Sequence, residues 1–186
     1  MQINILHTAT FANVLYHDDR GSVCFVGVKE AGQFRETKCA KCQIVDAVAR
    51  AKGEHIYLAV NSFFSQWSSR TADNLRQVNA IFVDVDCHID DPTRTRETIK
   101  EETAYLIRAV EEGWIPRPTI IVDSGRGLHL YYVYAKSIPA RLKGGCPNDK
   151  GLAVHADLTR KIYARVSSVF DGRALTIDPQ CADLSR

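Results

Sequence analysis

Apolar and polar residues follow two different periods in the second half of the chain. Apolar runs that suit buried strands alternate with longer segments whose apolar residues lie three or four positions apart, which is helical spacing. The predicted strands are 80–86, 118–123, 128–134 and 174–178. One predicted helix separates the first two strands and another separates the last two, so the predicted order is β-α-β-β-α-β.

Both predicted helices carry local signals. The first begins at Asp91 and Pro92, an N-cap followed by proline at the first helical position. It ends near Glu112, before Gly113. The second follows a looser stretch, 136–152, and has an apolar stripe formed by Val154, Leu158, Ile162, Val166 and Val169.

This order is the split βαβ arrangement of the ferredoxin-like fold, which RNA-recognition modules share. Its first and third strands are antiparallel neighbours, so the end of the first strand (Asp84 and Asp86) is expected beside His129. Before residue 80, strands at 22–28 and 55–60 and a helix at 43–52 predict a small α/β unit. The fold class is therefore α+β. A single domain, 1–186, is expected, with an N-terminal unit (1–79) and an RRM-like antiparallel unit (80–186).

Composition limits the class of protein. The 186 residues are 45% hydrophobic and 25% charged, which is ordinary for a globular protein. Without a long apolar run or a signal-peptide pattern, and with six dispersed cysteines expected to be reduced, the chain is predicted to be cytoplasmic. The net charge is +2, but residues 117–186 hold eleven Lys and Arg against six Asp, a net of +5. That excess suits a polyanionic partner or a solvated surface.

Asp84 and Asp86 close the first predicted strand. Because strand side chains alternate, both carboxylates project from one face. Two carboxylates at such a short distance repel one another. A bound Mg²⁺ or Mn²⁺ removes the repulsion, since hard cations prefer oxygen ligands. A strand that simply ends in a polar loop is the alternative interpretation.

The turn 124–127 (SGRG) and the following strand offer groups for an anion. Ser124, Gly125 and Gly127 allow backbone N–H groups to approach an anion closely. Arg126 adds a fork of donors suited to phosphate, and His129 is a further donor. A plain hairpin turn with a solvated Arg126 is the alternative.

The last eleven residues, TIDPQCADLSR, contain a candidate third carboxylate. Asp178 is the first choice and Asp183 is its rival, although Asp-Pro also opens ordinary turns. Separately, Cys39 and Cys42 form a CxxC that suits half of a structural zinc site. Two thiols near a helix start are the preferred interpretation, because only folding could bring Cys24, His55, Cys87 or His88 to complete such a site.

Together, FVDVD, SGRGLH and TID…LSR resemble the three motifs of the archaeo-eukaryotic primase superfamily. Its members show an apolar strand ending in D-x-D or D-x-E, then S-G-x-G-x-H, then an apolar residue and Asp followed by basic residues. The segment 61–75 further resembles plasmid- and phage-type replication primases. The resemblance covers about residues 56–186. It implies a primase-polymerase that joins nucleoside triphosphates on a single-stranded DNA template with Mg²⁺ or Mn²⁺.

The resemblance also implies residue roles. The implied metal ligands are Asp84, Asp86 and Asp178. The implied nucleotide-binding residues are Ser124, Arg126, His129, Arg186 and Arg70. Relatives usually continue past L-S-R into a second basic residue and a P-G-T-like turn. Because this chain ends at Arg186, a truncated phosphate site is expected, with a helicase or another domain beyond it.

Two other classes stay open. A metal-dependent nucleotide-sugar transferase also uses an apolar D-x-D, but it needs no SGRGLH, and the β-α-β-β-α-β order argues against it. A non-catalytic, RRM-like module for single-stranded nucleic acid would stack bases on tyrosines of the third strand. Alternation places Tyr132 and Tyr134 on one face and Tyr131 on the other with His129.

Overall fold

The computed structural model describes the chain except residues 1–4, 19, 29–33, 52–54, 88–95, 174 and 186, and except the side chains of residues 5, 6, 34 and 55. Its described part is α+β, as predicted. The helices are α1 (Ile5–Leu15), α2 (Ile44–Arg50), α3 (Arg96–Glu111) and α4 (Asp149–Ser167). The strands are β1 (Ser22–Val28), β2 (Phe34–Ala40), β3 (His55–Leu58), β4 (Ser62–Phe63), β5 (Leu75–Asp86), β6 (Ile120–Asp123), β7 (Gly127–Pro139) and β8 (Thr176–Ile177). No helix in this part of the chain is both long and apolar enough to cross a membrane.

Most predicted elements are confirmed, with shifted ends. β1 coincides with the predicted strand 22–28, whereas β5 begins five residues before the predicted strand 80–86. The proposed helix start at Asp91 and Pro92 lies outside the described residues. The predicted stop is confirmed, because Gly113 has a φ of 75°, a left-handed conformation that ends helices readily.

Three elements were not predicted, namely α1, β2 and β4. β2 has the sequence FRETKCA, whose charged residues hide its strand character. It lies at the edge of the sheet, where such residues are expected. The prediction of a loose stretch at 136–152 was wrong at both ends, because β7 continues to Pro139 and α4 begins at Asp149.

The chain divides into two compact units. Unit 1 comprises Met1–Ala80, Tyr134–Leu152 and Asp183–Arg186, and unit 2 comprises Ile81–Val133 and Ala153–Ala182. In unit 1 the strand order is β2-β1-β4-β5, with β3 also pairing with β1. One buried cluster of this unit consists of Cys24, Ala59, Phe63, Leu75 and Ala140.

Unit 2 carries the ferredoxin-like part of the sheet. Its strand order is β8-β5-β7-β6, the arrangement predicted for β-α-β-β-α-β. On one sheet face the side chains are fully buried, namely Val83, Val85, Leu128 and Leu130, and α3 and α4 bury Leu106, Ala109 and Val166. The opposite face carries Phe82 and Asp84 of β5 with His129 and Tyr131 of β7, which are in mutual contact. This second face holds the candidate chemistry.

Candidate metal and nucleotide site

Asp84 and His129 face each other from neighbouring strands of unit 2. The N–H of Cys87, just after β5, donates to the carbonyl oxygen of Arg126, just before β7, at 2.9 Å. This bond joins the end of one strand to the start of the other, as antiparallel pairing requires. The Nε2 atom of His129 lies 3.5 Å from Oδ1 of Asp84. The predicted position of His129 beside Asp84 is confirmed.

Asp178 joins these two residues through β8. The pairing sets Val85 opposite Ile177 and Asp86 opposite Thr176. The N–H of Asp178 then donates to the carbonyl oxygen of Asp84 at 3.0 Å. Because β8 is only two residues long, the residue after it, Asp178, is still next to the D-x-D residues of β5. A longer strand would carry its end away from them.

The rival carboxylate, Asp183, has a local task in unit 1. Its Oδ1 accepts hydrogen bonds from the N–H of Ser185 at 2.9 Å and from the Ser185 hydroxyl at 2.8 Å. Of the two candidates, Asp178 is the one whose N–H is seen to donate to the carbonyl oxygen of Asp84.

A short 3₁₀ helix, Pro179–Ala182, adds a residue that the sequence interpretation missed. The carboxylate of Asp178 caps this helix, accepting the N–H of Gln180 at 2.8 Å. The N–H of Cys181 donates to the carbonyl oxygen of Asp178 at 3.1 Å, which turns Cys181 back toward the sheet. One ligand atom each of Asp84, Asp178 and Cys181 all lie within 4.8 Å of one another. The available signal was the Asp-Pro turn, which brings residues three apart together.

Asp86 is not a member of this three-residue group, although it was predicted as a metal ligand with Asp84 and Asp178. Its backbone is opposite Thr176, and its side chain is partly exposed. The D-x-D pair thus supplies one carboxylate to the group, and the 3₁₀ helix supplies the third ligand atom.

A buried phenol, Tyr131, and a half-buried one, Tyr163, are affected by the charge of this region. Burial raises the pKa of Tyr163, and the nearby Cys181, Asp178 and Asp84 raise it further. Burial likewise raises the pKa of Tyr131, with a smaller contribution from Asp84 and then from Cys181. Both phenols consequently stay neutral at physiological pH. The Tyr163 hydroxyl donates to the carbonyl oxygen of Phe82 at 2.9 Å, which ties α4 to β5.

Gly127 allows β5 to approach the turn. A Cβ atom at this position would lie 1.9 Å from the carbonyl oxygen of Val85 and 3.1 Å from the nitrogen of Cys87. A separation of 1.9 Å is impossible for atoms that are not bonded to each other, so glycine is required for the close approach of the two backbones. The structure gives Gly127 a close approach to β5, and its predicted approach to an anion stays a prediction.

The turn's own N–H groups have partners within the turn. The N–H of Gly125 donates to the carboxylate of Asp123 at 2.7 Å, and the N–H of Arg126 is 3.4 Å from the Ser124 hydroxyl oxygen. The Ser124 hydroxyl in turn donates to the carbonyl oxygen of Gly127 at 3.2 Å. The expected cradle of N–H groups is thus closed by Asp123 in this structure, and the side chains of Ser124 and Arg126 are exposed.

The two remaining predicted nucleotide-binding residues are Arg70 and Arg186. Arg70 belongs to unit 1, where its Nη1 donates to the carbonyl oxygen of Ser185 at 3.0 Å and its Nε lies 3.4 Å from Glu36. Arg186 lies outside the described residues. The possible zinc site at Cys39 and Cys42 stays a prediction. Cys39 is buried and Cys42 is exposed, and the side chains of His55 and His88 lie outside the described part of the chain.

The donor set fits a divalent cation. Two carboxylate oxygens and one thiol sulfur lie close enough to share an ion, since such ions bind oxygen at about 2.0–2.6 Å and sulfur at about 2.3 Å. The set mixes hard oxygens with a soft sulfur, which suits a transition ion better than Mg²⁺. Among the residues that the structure describes, Asp84 and Asp178 are thus the carboxylates grouped so that they could share a metal.

Comparison with known proteins gives one distant similarity. Over 88 residues the chain is 27% identical to a protein named "Replication protein" from Clostridium perfringens, a match that covers 47% of this chain. The chain spans about a fifth of that relative's length, since the match covers 20% of it. No protein-family model matches the chain, and no solved structure matches it.

Proposed function

We propose that this chain is the catalytic domain of a primase-polymerase, a template-directed nucleotidyltransferase that makes or extends primers in plasmid, phage or mobile-element replication. The observation that carries the proposal is the meeting of three motifs at one sheet edge. Asp84, His129 and Asp178 come from three separate segments, yet His129 lies 3.5 Å from Asp84 and Asp178 is hydrogen-bonded to the backbone of Asp84 at 3.0 Å. The similarity to a replication protein supports the same biological setting.

The carboxylates would hold the metal that this chemistry needs. Asp84 and Asp178 would bind it directly, and Asp86, two residues further along the same strand, would serve a second ion. When bound, Mg²⁺ or Mn²⁺ lowers the pKa of an attacking hydroxyl and neutralises charge on the phosphates. Asp178 is held for this task by its place between the Asp84 carbonyl and the Gln180 N–H.

The reaction would proceed by attack of a 3′-hydroxyl on the α-phosphate of a nucleoside triphosphate, with loss of pyrophosphate. His129 would donate a hydrogen bond to the triphosphate, with its imidazole oriented by the edge of Phe82, whose ring centroid lies 5.4 Å away. Arg126 and Ser124, both exposed on the adjacent turn, would orient the β- and γ-phosphates. A phosphate that reached the Gly125 N–H would have to displace Asp123.

A single-stranded template would find aromatic side chains on unit 1. Trp67 is 87% exposed and Phe64 is 39% exposed, and the Arg76 guanidinium lies 5.4 Å from the centre of the Phe64 ring. Exposed rings beside a guanidinium suit base stacking and a phosphate contact. Both rings lie in the segment 61–75 that resembles replication primases.

The rival function, a non-catalytic RRM-like module, is favoured by one observation. The ring of Tyr131 stacks on Phe82 at 4.8 Å, and His129 lies on the same face, which gives the aromatic surface of such modules. Tyr131, however, is buried, and Tyr132 uses its hydroxyl to bond the carbonyl oxygen of Pro116 at 3.0 Å. The carboxylates on that face would repel a phosphate backbone unless a cation were bound, which favours the enzyme.

A primer-synthesis and primer-extension assay separates these functions. Purified protein is incubated with single-stranded DNA, labelled ribo- or deoxyribonucleotides and Mn²⁺ or Mg²⁺, and the products are resolved by length. Incorporation by the wild type and none by Asp84→Ala is the expected result. Template binding by both proteins without incorporation by either would instead identify a binding module.

A further inference from the structure

We infer that Cys181 is a third direct ligand of the divalent cation held by Asp84 and Asp178, and that its sulfur makes this site prefer Mn²⁺ to Mg²⁺ and bind Cd²⁺ more tightly than either. The inference rests on the metal site of the proposed function, and it adds both a ligand and a metal preference to it.

The geometry of unit 2 brings this sulfur to the carboxylates. The side-chain ligand atoms of Asp84, Asp178 and Cys181 all lie within 4.8 Å of one another. Three ligands that surround one ion lie about 3–4 Å from one another, given metal–oxygen distances near 2.0–2.2 Å and metal–sulfur distances near 2.3 Å. Side-chain shifts of up to about an ångström are therefore enough for all three to share an ion.

Backbone hydrogen bonds fix Cys181 in this position. Its N–H donates to the carbonyl oxygen of Asp178, whose own N–H donates to the carbonyl oxygen of Asp84. The side chain is buried, with 9% of the residue's surface exposed. A thiol on this chain of bonds stays beside the carboxylates without having to reach in from solvent.

The mixed donor set determines which cations are preferred. Mg²⁺ takes oxygen ligands and gains little from sulfur, whereas Mn²⁺ tolerates it and Cd²⁺ and Zn²⁺ favour it. The potential around the three ligands is negative: burial first, and then Cys181, Asp178 and Asp84, raise the pKa of the half-buried Tyr163 hydroxyl.

The test is Cd²⁺ binding to the 186-residue chain, because only a thiolate gives the ultraviolet sulfur-to-Cd²⁺ charge-transfer band. The variants are Cys181→Ser, Cys181→Ala and Asp178→Asn. The matched control is Cys87→Ser, which removes another fully buried thiol of unit 2, one that lies 3.9 Å from the Thr103 hydroxyl. Circular dichroism checks that each variant is folded, and two substitutions at Cys181 guard against one that is not.

Both Cys181 variants and Asp178→Asn are expected to lose the same component of the band, while Cys87→Ser keeps it. Cd²⁺ affinity should fall on the order of tenfold or more in the Cys181 variants, since even outer-shell partners of a metal contribute 10–100-fold. Mg²⁺ affinity should change far less. A band and a Cd²⁺ affinity that survive both Cys181 substitutions would overturn the inference.

Mn²⁺ binding followed by electron paramagnetic resonance separates this inference from the proposed function. If Mn²⁺ binding depends on Asp84 and Asp178 but not on Cys181, the metal site stands and the thiol ligand is refuted. If Mn²⁺ binding is indifferent to both aspartates, the metal site of the proposed function fails.

Discussion

The N–H of Asp178 donates to the carbonyl oxygen of Asp84 across 3.0 Å, so the backbones of two distant aspartates are joined directly. This bond continues the short pairing of β8 with β5. It has two consequences: Asp178 cannot move away from the sheet edge without breaking the pairing, and the 3₁₀ helix that follows must carry Cys181 past the same edge. The candidate metal site is therefore built by backbone pairing and not by flexible side chains.

Asp178→Asn is expected to lower nucleotide incorporation by at least about a hundredfold, since even outer-shell metal partners are worth 10–100-fold. The amide still accepts the Gln180 N–H, so the fold should hold. Asp183→Asn is the matched control, because Asp183 is the rival carboxylate and accepts hydrogen bonds from the N–H and hydroxyl of Ser185. The two variants are compared in the primer-extension assay, and equal losses from both would refute the choice of Asp178.

His129→Ala and Arg126→Ala are each expected to weaken binding of a nucleoside triphosphate by about 10- to 100-fold, the loss of one charge-assisted hydrogen bond. Template affinity should change little. Fluorescent nucleotide and oligonucleotide titrations measure the two separately. Arg165→Ala, an exposed position on α4, serves as the control for charge alone. A selective loss of oligonucleotide affinity would mean that the turn serves the template.

Gly127→Ala is expected to lower the free energy of unfolding by about 2 kcal/mol or more, because overpacking against an immobile group costs this much. The immobile group is the Val85 carbonyl, 1.9 Å from the new methyl group. Urea denaturation gives the value. Gly125→Asn is the control, since nothing lies within 4 Å there and asparagine tolerates a φ of 79°. Equal stability of Gly127→Ala and the wild type would contradict this close approach of β5 and β7.

Period and turn signals were enough to predict the order of strands and helices in unit 2. The apolar runs and helical stripes near residues 80–178 led to the β8-β5-β7-β6 order, and that order correctly placed His129 beside Asp84. β2 escaped prediction because an edge strand exposes polar residues and loses its alternation.

The details of the site depended on contacts that no sequence pattern encodes. Cys181 acquires its position only through the Asp178 turn and the pairing of β8. The glycines of the SGRG turn suggested room for an anion. Gly127, however, must be glycine because the carbonyl oxygen of Val85, a residue far from it in the sequence, lies where a Cβ atom would be. Residue types were enough to propose a metal and nucleotide site, whereas the contacts that position its side chains depend on the pairing of strands distant in the sequence.

Trp67 is expected to report template binding by fluorescence. The chain has two tryptophans, so Trp114→Phe leaves Trp67 as the sole indole. Oligo(dT) should quench this variant, because a base stacked on an 87% exposed ring replaces water. Trp67→Phe, which keeps Trp114 beside the Tyr105 ring, should show no quenching. Quenching confined to Trp114 would place the template elsewhere.

His155 is expected to make the stability of the fold sensitive to acid. It is buried on α4, and burial lowers its pKa below the ordinary value of 6.5. The unfolded chain therefore binds a proton more readily than the folded one. The stabilisation from the neutral imidazole is complete above pH 6.5 and is lost as the pH falls toward the lowered folded pKa. Melting temperatures measured between about pH 8 and pH 5 should fall on acidification by less in His155→Gln than in the wild type. His17→Gln, an exposed position, is the control. If the wild type and His155→Gln lose stability in parallel, His155 is not the group responsible.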